Sequence, residues 1–99
     1  MPNYRSESID RLFRGFLTLK TVEDCYTFFD DICTINELQD MTQRLDTAFL
    51  LSEGKSYQTI SQEVGVSTAT IGRVSRCLNY GKGGYKTVIE KLKEENEDA

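Results

Sequence analysis

Four consecutive small residues, Ser67, Thr68, Ala69 and Thr70, are followed closely by Arg73 and Arg76 and flanked by Lys55, Lys82 and Lys86. Together they are the part of this 99-residue chain best equipped for chemistry. The chemistry is recognition, not bond-making. Hydroxyls that donate or accept, methyls that meet thymine methyls and cations that hold phosphates are what the DNA major groove rewards, and small side chains let a backbone come near base edges. Tyr57 and Gln58, upstream, are placed to touch the DNA backbone or an outer base.

Catalytic alternatives start from a deficit. The chain has no histidine, which removes the commonest general base and the commonest metal ligand. Cys25, Cys33 and Cys77 are odd in number and form no CxxC pair, so they read as small, buried, reduced hydrophobes with neither a disulfide framework nor a zinc site. A nucleophilic Cys77 would lack a base. Asp30 and Asp31 are adjacent, and neighbours on a helix point apart. GKGGYKT lacks the GxxxxGK[ST] spacing of a nucleotide-binding loop and reads as a flexible connector whose free amides and Lys82 reach a phosphate. No enzyme activity, cofactor or metal is expected.

Charge distribution favours an anionic partner for one segment only. Residues 1–54 carry five Lys/Arg against ten Asp/Glu, residues 55–86 five against one, and residues 87–99 two against five. The segment charges are therefore −5, +4 and −3, within a net charge of −4. A basic middle between acidic flanks needs a reason. The length suits one domain spanning residues 1–99. No apolar run is long enough to cross a membrane and MPNYRSESIDRL has no apolar signal core, so a cytoplasmic location and no membrane partner are expected.

The elements that must position these residues read as helices throughout, because the only proline is Pro2 and the glycines fall mostly where helices should stop. Ile9, Leu12, Phe13, Phe16 and Leu17 predict an amphipathic helix over about residues 7–19. Thr21, with an acid three residues on, caps a second helix with Val22, Cys25, Tyr26, Phe29, Ile32 and Cys33 along its stripe, and the aromatics at 26, 28 and 29 read as core. Thr34 and Glu37 repeat the device ahead of a long helix bearing Leu38, Met41, Leu45, Ala48, Phe49 and Leu51 or Ser52, stopped by Gly54. Residues 1–54 thus form three helices with more apolar surface than a lone chain of this size buries, and self-association is the natural outlet. Residues 81–95 read as a connector and a last helix, and 96–99 as a polar, frayed tail.

Between them, residues 55–80 fit a helix-turn-helix. Tyr57 to Val64 makes a short helix with Ile60 and Val64 inward, and Ser61 is small enough for a second helix to approach. Gly65 turns the corner in the left-handed conformation. Val66 tucks beneath the turn, Ser67 caps the next helix, and Ile71, Val74 and Leu78 form its inner face. Gly72 keeps the opposite side thin. An ordinary helical hairpin with a solvated basic face would share the corner glycine and the small cap. Six coincident constraints at Ile60, Ser61, Val64, Gly65, Val66 and the pair Ile71 and Val74, with an independent charge inversion, favour the DNA-binding form.

On the capped helix TINELQDMTQRLDTAFLLSEG, the hairpin KSYQTISQEVGVSTATIGRVSRCLNYG and the GGYK that follows, the chain resembles the Trp repressor superfamily, in its Trp-repressor-like YerC/YecD branch. The resemblance implies an all-α, six-helix, intertwined homodimer, with residues 1–54 as dimerisation helices and two reading helices about one DNA turn apart on a palindromic operator. It also implies an effector pocket at Arg44, Arg73, Val74 and Cys77. Arg73 stands where the family arginine lies over the indole of tryptophan. The next position, glycine in that family, is Val74, whose methyls occupy space the indole needs. Cys77 replaces a serine, the second arginine's place falls at Gln43 with Arg44 one residue off, and the small threonine aligns with Cys33. Tryptophan is therefore not the expected effector.

These readings converge on a dimeric, sequence-specific regulator of double-stranded DNA, a repressor that excludes polymerase by occupying an operator. Thr68, Ala69 and Thr70, behind the Ser67 cap, would read bases, and Lys55, Arg73, Arg76 and Lys82 would hold phosphates. Its effector is a small molecule other than tryptophan, or none. The competing reading keeps the same fold as an interaction module whose basic hairpin docks an acidic protein.

Overall fold

The computed structural model describes residues 4–98, and every regular element among them is an α-helix. In chain order these are α1 (Glu7–Phe16), α2 (Val22–Ile32), α3 (Ile35–Ser52), α4 (Tyr57–Val64), α5 (Thr68–Tyr80) and α6 (Gly84–Asp98). The chain divides into two compact units, one ending at Ile35 and one beginning at Asn36.

In the first unit, α1 and α2 start at side-chain caps. Ser6 Oγ accepts from the Ile9 amide at 3.1 Å, and Thr21 Oγ1 accepts from the Asp24 amide at 3.0 Å. Each cap satisfies one of the amides that a helix start leaves without a partner. The acid predicted to close the second cap reaches one residue further back, where Asp24 Oδ2 accepts from the Lys20 amide at 3.1 Å. That bond, which favours the charged form, holds the Asp24 carboxyl below its ordinary value. α1 ends at Phe16, short of the predicted residue 19. The Thr18 hydroxyl and amide both bond the Gly15 carbonyl oxygen and tighten the chain out of helix.

Four phenylalanines meet between these two helices. Phe16 stacks on Phe29 with centroids 5.4 Å apart and meets Phe28 edge-on at 5.7 Å. Phe13 lies 6.2 Å from Phe16. Neither helix buries a residue completely. Phe28 and Phe29 are half-buried, while Tyr26, predicted as core, is 59% exposed.

The second unit holds the fully buried core, in two adjoining clusters. Ala48, Val74, Leu78 and Ile89 form one, joining α3, α5 and α6. Ile60, Val66 and Ile71 form the other, between α4 and α5. On α3 the inward residue near the end is Leu51, not Ser52, whose hydroxyl turns back to the Phe49 carbonyl. Thr47 is completely buried and sits among apolar residues at no hydrogen-bond cost, because its hydroxyl donates to the Gln43 carbonyl at 2.7 Å. α3 stops in paired bonds from the Gly54 amide to Leu51 and from the Lys55 amide to Leu50, with Gly54 at φ 80°. α6 continues through Asp98, beyond the predicted end at 95, since no glycine or proline interrupts residues 85–98. Ala99 lies outside the described residues.

Among the described residues no helix is long and apolar enough to cross a membrane.

The corner between α4 and α5 carries a prediction. Gly65 holds φ 82° and ψ 31°, a conformation that costs an L-residue about 1–2 kcal/mol. Gly65→Ala, where the added Cβ meets no atom within 4 Å, is expected to lower stability by about that amount through backbone strain alone. Urea denaturation checks it, with an unchanged midpoint as the contrary result.

Candidate nucleic-acid interface

The corner is tied from both sides. The Gly65 amide donates to the Ser61 carbonyl at 3.0 Å, and the Ser61 hydroxyl donates to the Val66 carbonyl at 2.7 Å. Ser61 is thus more than a small residue, since its hydroxyl satisfies the carbonyl of buried Val66. Ser67 then caps α5, accepting from the Thr70 amide at 3.2 Å. Ser56 caps α4 in the same way, accepting from the Thr59 amide at 3.1 Å.

Ile71, Val74 and Leu78 are buried, and one side of α5 is thereby fixed against the core. Ser67, Thr68, Ala69, Arg73 and Arg76 are exposed. So are Lys55, Tyr57, Gln58 and Lys82. Among the residues expected to read bases, Thr70 stands apart. It is half-buried, its hydroxyl oxygen accepts from Ser67 Oγ at 3.2 Å, and it lines a cavity instead of the free side of the helix.

That cavity, about 540 Å³, lies within the second unit. Arg44 and Arg73 line it with Asp40, so its ionisable wall carries one more positive charge than negative. Gln43, Ser67 and Thr70 add polar groups. Gly65, Val66, Val74, Cys77 and Tyr85 complete the wall. The four residues singled out from the sequence, Arg44, Arg73, Val74 and Cys77, therefore share one space. Gln43 and Arg44 both face it, although the sequence left only one of the two matching the family position. Val74 is also a core residue, 4% exposed, so its methyls are held in place by Ala48, Leu78 and Ile89.

Tyr85 was not singled out for this site. Its ring packs against the same cluster from α6, and burial raises its phenol above the ordinary value, with Cys77 adding to the shift and Arg44 opposing it. The signal was present in the sequence as the first apolar residue of the last helix.

Cys77 corrects the reading of the cysteines as buried. It is exposed where it lines the cavity beside Val74 and Tyr85, while Cys25 and Cys33 are half-buried. A second space of about 610 Å³, almost wholly apolar, runs past Leu45, Cys77, Tyr85 and Val88 to Lys82. Among the described residues, no three His, Cys, Asp or Glu side chains are grouped closely enough to hold a metal ion.

A corner glycine, a capped helix whose first two residues are exposed, and a cavity beneath that helix can be set beside known proteins. The family model for the Trp repressor protein matches residues 7–93. The uncharacterized protein YerC of Bacillus subtilis (strain 168) is 52% identical over 90 residues, covering 91% of this chain and 86% of that protein. The crystal structure of a candidate Trp repressor from Staphylococcus aureus superposes with a TM-score of 0.87 at 46% identity, covering 90% of this chain and 89% of the other. A TrpR-like protein from Eubacterium eligens ATCC 27750 gives 0.88 at 44% identity, covering 90% and 92%. An all-α arrangement of six helices that matches these crystal structures, with a family model running through nearly its whole length, shows that this chain belongs to the Trp repressor family.

Proposed function

We propose that this chain is a sequence-specific, DNA-binding transcriptional regulator that acts as a homodimer and represses by occupying an operator. The observation that carries the reading is the exposed start of α5 at Ser67, Thr68 and Ala69, presented by the Gly65 corner within a segment of charge +4. Phosphate contacts by Lys55, Arg73, Arg76 and Lys82 fix the register on the duplex, and base-edge contacts supply the sequence preference. Thr68 and Ala69 carry most of that preference, with Tyr57 and Gln58 at an outer base or the backbone. Thr70, half-buried, contributes through the cap it shares with Ser67. Repression follows from steric exclusion of polymerase.

The homodimer is supported by what the first unit leaves uncovered. Leu17 is 82% exposed, Val22 72% and Ile35 67%, and Leu12, Phe13, Tyr26 and Ile32 are exposed with them. So many large apolar side chains exposed on helices that fully bury none of their own mark an interaction face. A second copy with the same face satisfies it by two-fold symmetry and carries two reading helices onto a palindrome. Sedimentation is expected to give a dimer, and Leu17→Asp with Val22→Asp to shift it to monomer; a monomeric wild type would rule out the dimeric form of the proposal.

For DNA, affinity is expected to fall steeply as salt rises, because each phosphate contact releases condensed counterions. Thr68→Ala should relax sequence preference by about 1–3 kcal/mol at one position, whereas Arg76→Ala should weaken binding to all sequences and flatten the salt slope by about one contact. Competition band-shift titrations separate the two. Salt-sensitive binding with no sequence preference in the wild type would instead fit docking of an acidic partner.

The cavity under α5 is proposed as the effector pocket, for a small molecule other than tryptophan if it takes one. Val74 stands in the wall and is fixed by the core behind it. Calorimetric titration with L-tryptophan is expected to show no saturable micromolar binding, and a stoichiometric isotherm would overturn that expectation.

A further inference from the structure

Seven glycines punctuate the chain, and most have a reason within it. Gly54, Gly65 and Gly83 hold positive φ, and a Cβ on Gly81 would overlap the Cys77 carbonyl oxygen. Gly84 opens α6, and Gly15 lies one residue before α1 ends. Gly72 has none of these reasons. It lies inside α5, its φ is not positive, and a Cβ built on it meets no atom within 4 Å. Glycine is the poorest helix former apart from proline, so the helix itself would be better served by alanine. The core does not need the gap either, because Ile71 and Val74 are buried without it.

A residue that costs helix stability and relieves no contact inside the chain points to a surface outside it. We propose that Gly72 is a specificity-determining position, the point at which base edges on the floor of the major groove come against the α5 backbone too closely for a side chain. The inference rests on the DNA-binding reading above. Charge decides between a duplex and a packed helix from another protein. Arg73 and Arg76 are exposed beside Gly72, and Thr68 is exposed one helical turn before it, so the surroundings offer cations and a hydroxyl, not the apolar rim that a packed helix would need.

The test uses the full chain. The wild type is allowed to enrich binding sequences from a random duplex library. Gly72→Ala and wild type are then titrated on the enriched duplex and on a scrambled one, and their thermal midpoints are compared. The alanine variant is expected to melt no lower than wild type and to bind the scrambled duplex with equal affinity. On the enriched duplex it should lose about tenfold or more, the scale of one base contact. Equal affinity of the two proteins for the enriched duplex overturns the inference. So does a loss of the same size on both duplexes, since that would not be a base contact. If the wild type enriches no sequence at all, the DNA-binding reading fails first and takes this inference with it.

Discussion

The left-handed turn at Gly65 is the constraint on which the second unit depends. α4 has eight residues, and a helix that short does not persist in water without packing. It is held because the corner brings Ile60, Val66 and Ile71 into one buried cluster while the Gly65 amide and the Val66 carbonyl of the turn both find partners. The Ser61 hydroxyl, bonded to the Val66 carbonyl, lets the chain bury Val66 immediately after a helix end. Ser67 can then start α5 at a fixed place, and that place decides which residues of α5 are exposed and which face the cavity. A Cβ at 65 strains the turn, and an apolar residue at 61 orphans a carbonyl. Either fault would reach the start of α5 through Val66, which directly precedes the Ser67 cap.

Much of this was legible in the sequence because the signals are local. A glycine between Val64 and Val66, a serine at 67 and apolar residues at 71, 74 and 78 determine a corner, a cap and an inner face without knowledge of the rest of the chain. The failures have the opposite character. Thr47, a residue the sequence left unassigned, is completely buried, with its hydroxyl satisfied one turn back on its own helix. Cys77 reads as core by type, yet it borders an open cavity and is left exposed. Thr70 sits beside Thr68 and Ala69 in sequence, but the 100° rotation per residue carries it to the cavity side. The contribution of Tyr85 depends on where α6 returns relative to α5, which is a tertiary fact.

The first unit presents a different balance. α1 and α2 carry strong apolar stripes and good caps, and their four phenylalanines cluster, but no residue there is fully buried. Caps and ring contacts contribute roughly one kcal/mol each, while ordering the backbone costs about 1–2 kcal/mol per residue. Helices in this position are stabilised chiefly by burying their stripe. If the partner is a second copy, folding of this unit and assembly become one equilibrium, and stability rises with protein concentration. DNA affinity would rise with it, since a reading helix held alone gives up the gain from binding two half-sites at once.

The cavity and the proposed reading turn share residues, and this restricts how any occupant can act. Gly65, Val66, Ser67 and Thr70 line the cavity, and the same four form the corner and cap that aim Thr68 and Ala69. A ligand that bound without touching them differently in two conformations would leave the reading turn where it was, however tightly it bound. Arg73 adds an electrostatic version of the same constraint, since its guanidinium lines the cavity yet is exposed beside the proposed DNA face. An anionic occupant would compete with a phosphate for it, whereas a neutral occupant would leave it free. Under the proposed DNA-binding reading, the sign of any effector's influence would therefore follow first from the ligand's charge at Arg73, and only second from the shape that Val74 imposes.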